Sequence, residues 1–314
     1  MKWIRMGALL GLVSVVGGCS SGSEAPVEAR DTVEAAYDPF TEPNSDSDWG
    51  IVVEQARWAY SQRLDTLPIG EIVARIGRNF LGTRYTPHTL EVPGDEGLVI
   101  ELEELDCVTF VENVLALARL VQRAPAGILS QKRVYKAYYS GILTNIRYRG
   151  GRLDGYGSRL HYFSDWIADN EAMGMMRHIS GELGGVADHE PVTFMTTHAD
   201  AYRQLGEDPS FLEAVREAEA ALSSRPRLYV PEGDIAGIAD QIENGDIIAA
   251  TSSIEGLDVA HTGIALWVDG RLHLLHAPLV GDSVQISERP LAERILGNTG
   301  QDGIMVARPL DVRR

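Results

Sequence analysis

The chain is poor in cysteine and in positive charge, and each shortage excludes a class of protein. Its 314 residues include only two cysteines, Cys19 and Cys107, which are too few for a disulfide framework or a structural zinc site. Lysine and arginine number 28 against 45 acidic residues, so the net charge is −17. Such a surface repels phosphate backbones, and a nucleic-acid partner is not expected. The apolar content of 44% and charged content of 23% are typical of a globular protein with one or two domains.

The first 18 residues have the three parts of an export signal. Basic residues precede a short apolar run over residues 7–16, and two small residues follow it. A run of about a dozen residues is too short to span a bilayer, which needs roughly 20. The sequence Val-Gly-Gly-Cys19 resembles the lipobox of bacterial lipoproteins, in which the cysteine is lipidated and becomes the mature N-terminus. We therefore expect residues 1–18 to be a lipoprotein signal peptide, with a plain secretory signal as the alternative.

Lipidation of Cys19 would anchor the mature protein to a bacterial membrane, facing an extracytoplasmic space. Ser20 favours the outer membrane, facing the periplasm, in an organism with two membranes. Residues 19–48 are acidic, with few apolar side chains and no periodicity, and are predicted to be a flexible tether. Residues 49–314 have a globular composition and are predicted to form the folded domain.

A buried helix is predicted to begin near Cys107. Apolar residues recur at helical spacing from Val111 to Val121, and Asp106 is a suitable N-cap. A thiol in the first turn of a helix lies at the positive end of the helix dipole, which favours a thiolate and a lowered pKa. The common alternative for a free cysteine is a small buried side chain without reactivity. In an oxidising compartment, however, an unpaired thiol is vulnerable to oxidation unless it has a function.

A cysteine nucleophile needs a base, and three histidines lie in a predicted antiparallel meander. His261 begins one strand, Asp269-Gly270 marks a type I′ hairpin, and His273 and His276 lie on the returning strand. Residues three apart on a strand point to opposite faces, so His273 and His276 cannot share one site. A two-histidine metal centre is therefore not expected, and the sequence indicates no cofactor. A one-residue error in the predicted register would exchange His273 and His276.

These residues resemble the NlpC-type cell-wall cysteine hydrolases: a cysteine at a helix start, a strand beginning His-x-Gly-Ile, and a partner strand ending His-Ala. Several longer blocks are similar to one branch of that group, the N-acetylmuramoyl-L-alanine amidase-like family. The blocks are residues 105–118, 147–151, 154–166 and 254–264. The resemblance extends over most of residues 50–310.

The resemblance implies an α+β fold with a papain-like core, in which the cysteine helix packs on an antiparallel sheet. It implies that Cys107 is the nucleophile, that His261 is the general base, and that His276 orients the His261 ring. Tyr85 matches a tyrosine that precedes the cysteine in relatives and is a candidate oxyanion donor, although a half-buried phenol in the core is an equal alternative. Residues from about 124 to 226 are an expected helical insertion between nucleophile and base.

A polar cluster within this insertion is a candidate ligand-binding surface. It combines a cation, a carboxylate and aromatic rings, which suit a sugar-peptide ligand. Its members are Arg159, His161, Tyr162, Asp165 and Trp166. The structural alternative is that Arg159 pairs with Asp165 and that Trp166 belongs to the core.

The family resemblance implies hydrolysis of the amide between N-acetylmuramic acid and L-alanine in peptidoglycan fragments. Two alternatives stay open at this point. One is an endopeptidase that cuts the stem peptide between D-glutamate and diaminopimelate, and the other is a lipoprotein that binds muropeptides without cleaving them. The sequence indicates no particular oligomeric state.

Overall fold

The computed structural model of the protein describes residues 44–312. The predicted signal peptide, Cys19 and residues 19–43 of the predicted tether lie outside the described residues. Among the described helices, none has both the length and the apolar character needed to cross a bilayer.

The described residues form a mixed α+β structure. Its helices are α1 (Asp46–Ser61), α2 (Ile69–Asn79), α3 (Cys107–Arg123), α4 (Lys132–Arg147), α5 (Phe163–Ala172), α6 (Phe194–Thr197), α7 (Arg203–Glu207), α8 (Pro209–Ser223), α9 (Ile235–Ile238) and α10 (Leu291–Leu296). Its strands are β1 (Arg84–Tyr85), β2 (Glu104–Leu105), β3 (Met176–His178), β4 (Val186–Asp188), β5 (Arg227–Pro231), β6 (Ile247–Ser252), β7 (Val259–Val268), β8 (Arg271–His276), β9 (Gln285–Ile286) and β10 (Gln301–Pro309).

The main sheet has the order β4-β5-β10-β6-β7-β8-β9, and β3 also pairs with β10. All of its pairs are antiparallel, whereas β1 and β2 form a separate two-stranded parallel sheet. The predicted meander is confirmed from β6 to β9, but β10 does not continue it. Instead β10 pairs with β6 on one edge and with β5 on the other, so β10 lies inside the sheet. Asp269 and Gly270 both have positive φ, which confirms the type I′ hairpin between β7 and β8.

The helix that begins with Cys107 has a strong local start signal. The Asp106 carboxylate accepts the backbone N–H groups of Val108 and Thr109, and the Thr109 hydroxyl accepts the N–H of Asp106. This reciprocal capping box fixes the first turn of α3 and with it the direction of the Cys107 backbone. The predicted helix start and N-cap are confirmed.

Alternate residues of the central strands face two separate apolar cores. Ile247 and Ile264 face the core formed with α1 to α4, while Ile248 and Ala265 face a second core that includes α10. The sheet is therefore covered on both faces, and α3 is buried along most of its length. A third apolar cluster lies within residues 156–222 and is built from the segment between α3 and the central strands.

The segment between α3 and the central strands was predicted to be a helical insertion, but it is part of the main sheet and the main core. It contributes strands β3 and β4 to the main sheet as well as helices. Tyr139 and Leu143 of α4 and Trp166 of α5 belong to the main core. Residues 98–102 carry no strand of the sheet, and Leu102 donates its N–H to Asp48 at 2.8 Å. Asp48 is buried within α1, which begins at Asp46, so the helix begins three residues before the predicted start of the folded domain at residue 49.

A buried ion pair joins α3 to α4. The Arg147 guanidinium donates to Glu112 at 2.7 Å and to the Val99 carbonyl at 2.5 Å, and both side chains of the pair are only 2% exposed. Trp166 donates its indole N–H to the other oxygen of Glu112 at 3.2 Å. Each charge is therefore neutralised and hydrogen-bonded, which makes the loss of one partner costly.

We expect Arg147→Met to lower the free energy of unfolding by about 3–5 kcal/mol, because it leaves the Glu112 carboxylate buried and unpaired. Urea denaturation measures the change. The matched control is Arg216→Met, which removes one partner of the exposed pair with Glu213 and should alter stability by less than about 1 kcal/mol. Equal losses in the two variants would contradict a structural role for the buried pair.

Candidate active site

The Cys107 side chain lies at the first residue of α3 and is a free, half-buried thiol. The capping carboxylate of Asp106 occupies the N–H groups of Val108 and Thr109, but not the N–H of Cys107 itself. Backbone N–H groups of Thr262, Cys107 and Val108 face the sulfur and favour its ionised form. The Thr262 N–H belongs to the peptide that follows His261, so the sulfur lies against the strand that carries this histidine.

Two histidine rings are joined by a direct hydrogen bond. His261 Nε2 lies 2.7 Å from His276 Nδ1, and the rings are nearly perpendicular at 80°. This bond engages Nε2 of His261, so Nδ1 is the ring nitrogen left for another partner. His276 is 3% exposed, and its Nε2 is buried with no hydrogen-bond partner among the described residues. His273 lies elsewhere, with its Nδ1 bonded to the Ser287 carbonyl at 2.8 Å, so the predicted register places the two β8 histidines correctly.

The contact between β7 and β8 at this point requires glycine. A Cβ atom added to Gly263 would lie 2.7 Å from the Leu275 carbonyl oxygen and 2.9 Å from the His276 Cβ. Both distances are shorter than real Cβ contacts, so a larger residue would push His276 away. The glycine of the His-Thr-Gly sequence therefore makes room for the backbone that positions the His276 ring.

Burial changes the protonation of the candidate catalytic groups. Desolvation, with a smaller effect of the Asp106 carboxylate, raises the pKa of the Cys107 thiol to about 12. The expectation of a lowered pKa from the helix start is therefore wrong for the ligand-free site, because burial outweighs the N–H groups that favour the thiolate. Burial, and then the positive charges of His276 and Arg294, hold the pKa of His261 well below its usual value. At neutral pH the site holds a neutral thiol and a neutral imidazole.

Two cavities meet at this strand. The smaller, of about 230 Å³, is lined by Cys107, Thr262, Arg159 and His161, among others. The larger, of about 690 Å³, is lined by His261, His276 and Arg294, among others. The consecutive residues His261 and Thr262 thus line different cavities, as do the candidate base and the candidate nucleophile.

Tyr85 lies close to Cys107, as its proposed role requires. Its phenol is half-buried, and desolvation followed by the negative charges of Cys107 and Asp106 raises its pKa. The phenol is therefore protonated at neutral pH and retains an O–H that it can donate. Its backbone N–H is held by the Asp282 carbonyl at 2.8 Å, which fixes the short strand β1 beside the sheet.

The structural alternative supposed that Arg159 pairs with Asp165. The two side chains do not pair with each other. Arg159 is 5% exposed and binds Glu91 at 2.5 Å, with Glu96 at 3.6 Å. Asp165 is held by Arg149 and Arg225 at 2.5 and 2.9 Å. Both charges are thus satisfied within the protein, and Asp165 does not line either of the two cavities described.

The three rings of this cluster lie in different surroundings. Trp166 is fully buried and stacks on Phe163, so the prediction that it offers a face to a sugar is wrong. Trp166 lies on the hydrophobic face of α5, which packs into the core. Tyr162 lines the smaller cavity with its ring, while its hydroxyl donates to Glu219 at 2.7 Å. His161 also lines that cavity and donates from Nε2 to the Tyr156 carbonyl at 2.9 Å, and burial lowers its pKa to about 3.

Sequence reasoning missed two polar residues beside the candidate site. Arg294 lies on the short helix α10, which had no recognisable periodicity, and no sequence signal connects it to the histidines. Asp258 directly precedes β7. Its buried carboxylate accepts the N–H of Ser164 at 2.8 Å and that of Val259 at 2.7 Å, so it joins the start of α5 to the start of β7.

Among the described residues, one group of acidic side chains has metal-like spacing, but it lies away from the cysteine and histidines. The carboxylates of Asp48, Glu101 and Glu103 lie within 4.8 Å of one another. Asp48 accepts the N–H of Leu102, and Glu101 accepts those of Glu103 and Glu104. Backbone donors therefore account for most of this negative charge.

Both the sequence and the fold of the chain are similar to those of known proteins. Residues 75–301 match the model of a family described as N-acetylmuramoyl-L-alanine amidase-like. A crystal structure named as an N-acetylmuramoyl-L-alanine amidase from Bacteroides uniformis is 34% identical, with a TM-score of 0.71, covering 77% of this chain and 98% of that one. A Bacteroides fragilis structure, provisionally named a xylanase, is 35% identical over 74% of this chain and 98% of that one, with a TM-score of 0.68.

A more distant structure, from Legionella pneumophila, is 20% identical and covers 85% of this chain and 97% of that one, with a TM-score of 0.60. At that identity the likeness concerns the fold alone. No match was found among curated proteins.

We expect Gly263→Ala to lower the free energy of unfolding by about 1–3 kcal/mol, because the new methyl group overlaps the backbone and side chain of β8. It should also lengthen or break the bond between His261 and His276, which imidazole NMR signals would report. Gly141→Ala is the control, since a Cβ there meets nothing within 4 Å and alanine favours the α4 helix. An undisturbed imidazole pair in Gly263→Ala would show that the close approach does not position His276.

We expect stability to fall as the pH drops from about 6.5 toward 3. Burial lowers the pKa of His276 to about 3 from an ordinary value of 6.5. Between these values the unfolded chain binds a proton at His276 that the folded protein excludes, which favours unfolding by about 1.4 kcal/mol per pH unit. Denaturation at several pH values should show a shallower slope in His276→Gln. An unchanged slope would mean that His276 is protonated in the folded protein.

Proposed function

We propose, since the chain belongs to the N-acetylmuramoyl-L-alanine amidase-like family, that it is a cysteine amidase that hydrolyses the amide between N-acetylmuramic acid and L-alanine in peptidoglycan fragments. In this proposal the core is papain-like, with a nucleophile at a helix start and a base on the adjoining sheet. Cys107 is the nucleophile, His261 the general base and His276 the residue that orients the base. The choice of bond rests on the family, while the roles given to the three residues rest on the arrangement of the site.

The hydrogen bond between His261 and His276 is the observation that carries the proposal. A neutral imidazole has one N–H, and a base must present its free nitrogen to the thiol. In the proposed mechanism His261 carries its hydrogen on Nε2 and donates it to Nδ1 of His276, and the two nitrogens lie 2.7 Å apart. This tautomer leaves Nδ1 of His261 unprotonated. The second histidine thus selects the form of the first that can act as a base, as the acid of a catalytic triad does.

The first chemical step starts from a neutral thiol. Because the pKa of Cys107 is raised to about 12, the thiol is protonated at rest, and the proton must move as the bond to carbon forms. The Cys107 sulfur attacks the amide carbonyl, and the thiol proton passes to Nδ1 of His261. The carbonyl oxygen becomes an oxyanion, for which the N–H of Cys107 and the Tyr85 hydroxyl are the candidate donors.

The second step expels the amine. The imidazolium of His261 returns its proton to the amide nitrogen, the bond between carbonyl carbon and nitrogen breaks, and the peptide leaves with a free N-terminus. The acyl group remains on Cys107 as a thioester. Water then attacks the thioester while His261 takes its proton, and the thiol and a free carboxylic acid are formed.

The location proposed for this enzyme follows from the N-terminal sequence. A lipidated Cys19 and the acidic segment after it would hold the domain near a membrane, in the extracytoplasmic space where peptidoglycan lies. Metabolic labelling with a clickable fatty acid tests the anchor, because Cys19→Ala should abolish the label while Cys107→Ala retains it. Label that persists in Cys19→Ala would contradict this location.

The experiment that tests the activity is digestion of a defined muropeptide by the purified domain, with the products identified by mass. We expect free muramyl sugar and an intact stem peptide, and we expect Cys107→Ala to lose at least about a thousandfold of the rate, since it lacks the nucleophile. Unfolding curves of Cys107→Ala should match those of the wild type within about 1 kcal/mol, so that lost activity reports chemistry rather than misfolding.

Other products would select another function. A stem cut between D-glutamate and diaminopimelate would favour the endopeptidase, and binding without any cleavage would favour a muropeptide-binding lipoprotein. Turnover retained in Cys107→Ala would exclude the thiol mechanism. The reactivity of the thiol toward iodoacetamide gives a further check: because its pKa is raised, labelling of the ligand-free protein should be slow at neutral pH and increase at alkaline pH.

A further inference from the structure

Arg294 points into the larger cavity with most of its hydrogen-bonding capacity unused. It lines that cavity together with His261 and His276. Its side chain is half-buried and donates a single hydrogen bond, to the Gln301 side-chain oxygen at 3.0 Å. A guanidinium has five N–H donors and a permanent positive charge. The remaining donors of Arg294 have no acceptor among the described residues.

This lack of partners distinguishes Arg294 from the other arginines that are shielded from solvent. Among the buried and half-buried arginines within residues 44–312, all but two bind a carboxylate. The five that do are Arg147, Arg159, Arg203, Arg227 and Arg308. Arg119 is satisfied by two backbone carbonyls. Arg294 has neither arrangement, although a shielded charge is costly unless it is paired.

Arg294 also lies close enough to the reacting groups to influence all of them. Its positive charge lowers the pKa of both His261 and His276, and a thiolate at Cys107 would in turn raise the pKa of Arg294. Among the described residues, no carboxylate forms a hydrogen bond or ion pair with either of these two histidines. Glu288 and Arg289 also line the cavity, but both are exposed to solvent.

The two cavities indicate which half of the substrate Arg294 meets. In the proposed mechanism His261 protonates the leaving amine, so the amine half must lie on the side of His261. That side is the larger cavity, of about 690 Å³, while Cys107 lines the smaller one, of about 230 Å³. The leaving amine is the N-terminus of a stem peptide, and the peptide carries the carboxylates of its acidic residues.

We propose that Arg294 binds a carboxylate of the leaving peptide in the larger cavity, and so determines both the orientation of the substrate and its preference for acidic stem peptides. The inference rests on the proposed amidase function. An arginine and a carboxylate can form two parallel hydrogen bonds, which fixes the geometry of the peptide relative to His261. The bound carboxylate also neutralises the cation that weakens His261 as a base, so the base becomes stronger when substrate arrives.

Two substrates that share the scissile bond test the proposal. One is N-acetylmuramoyl-L-alanyl-D-glutamate, and the other is its diamide, in which both glutamate carboxylates are carboxamides. We expect Arg294→Gln to reduce kcat/KM for the acid by about ten- to a hundredfold, the usual effect of losing a charged hydrogen bond. For the diamide, kcat/KM should change by less than about threefold. Arg294→Lys, which keeps the charge, should recover part of the activity toward the acid.

Arg289→Gln is the matched control, because it removes an exposed charge from the same cavity. It should affect the two substrates equally. An equal loss on acid and diamide in Arg294→Gln would overturn the proposal, since a merely structural role would not distinguish them. The proposal would also be overturned if Arg289→Gln lowered kcat/KM for the acid as much as Arg294→Gln does. The overall positive charge of the cavity, rather than a specific contact with Arg294, would then be responsible.

Binding to the inactive protein separates this proposal from the amidase function. In Cys107→Ala, calorimetry should show the acid binding at least about tenfold more tightly than the diamide, and the additional change Arg294→Gln should remove that difference. If the wild type cleaves neither substrate yet this binding difference is found, the function is wrong and the carboxylate site stands. If cleavage occurs and no binding difference is found, the site is wrong and the function stands.

Discussion

The hydrogen bond between His261 and His276 is the interaction on which the rest of the site depends. It is made across two neighbouring strands, so it exists only if the strands are paired in the observed register and approach closely at Gly263. A shift of one residue would turn the ring of His276 to the other face of the sheet. The type I′ turn at Asp269 and Gly270 also fixes that register, because a two-residue hairpin loop determines which residues of the two strands are paired.

The cysteine is positioned by a different set of forces. The capping box at Asp106 fixes the first turn of α3, while the buried pair of Glu112 and Arg147 fixes the helix against its neighbours. The helix then packs on the sheet through its apolar face. Helix and sheet bring the sulfur to the peptide between His261 and Thr262 without a direct covalent or ionic link. The position of the sulfur beside the strand of His261 therefore depends on the packing of the core, which makes the candidate site sensitive to changes far from it.

Much of this arrangement could be predicted from local sequence signals. The N-cap at Asp106, the helix that begins at Cys107 and the hairpin at Asp269-Gly270 depend on residues near one another in the chain, and each was predicted correctly. The parity of a strand separated His273 from His276 in the same way. Local chemistry is sufficient where the structure depends on local geometry.

The remaining features depend on contacts between distant segments. The raised pKa of Cys107 results from burial by the surrounding fold, which outweighs the local effect of the helix start. Trp166 is buried because α5 packs into the main core, and Arg159 pairs with Glu91 and Glu96 from a loop far away in sequence. No sequence pattern indicated Arg294, because what distinguishes this arginine is that it binds no carboxylate among the described residues of the folded protein.

The division of the candidate site between two cavities has a consequence for the order of events in the proposed mechanism. If the peptide occupies the larger cavity and the acyl group remains with Cys107 in the smaller one, the first product can leave without passing the second. In the proposed mechanism, its departure would open the side of the thioester that faces His261, which activates the hydrolytic water. Release of the peptide would then be the event that admits the water, and the acyl-enzyme would be shielded from premature hydrolysis until it occurs.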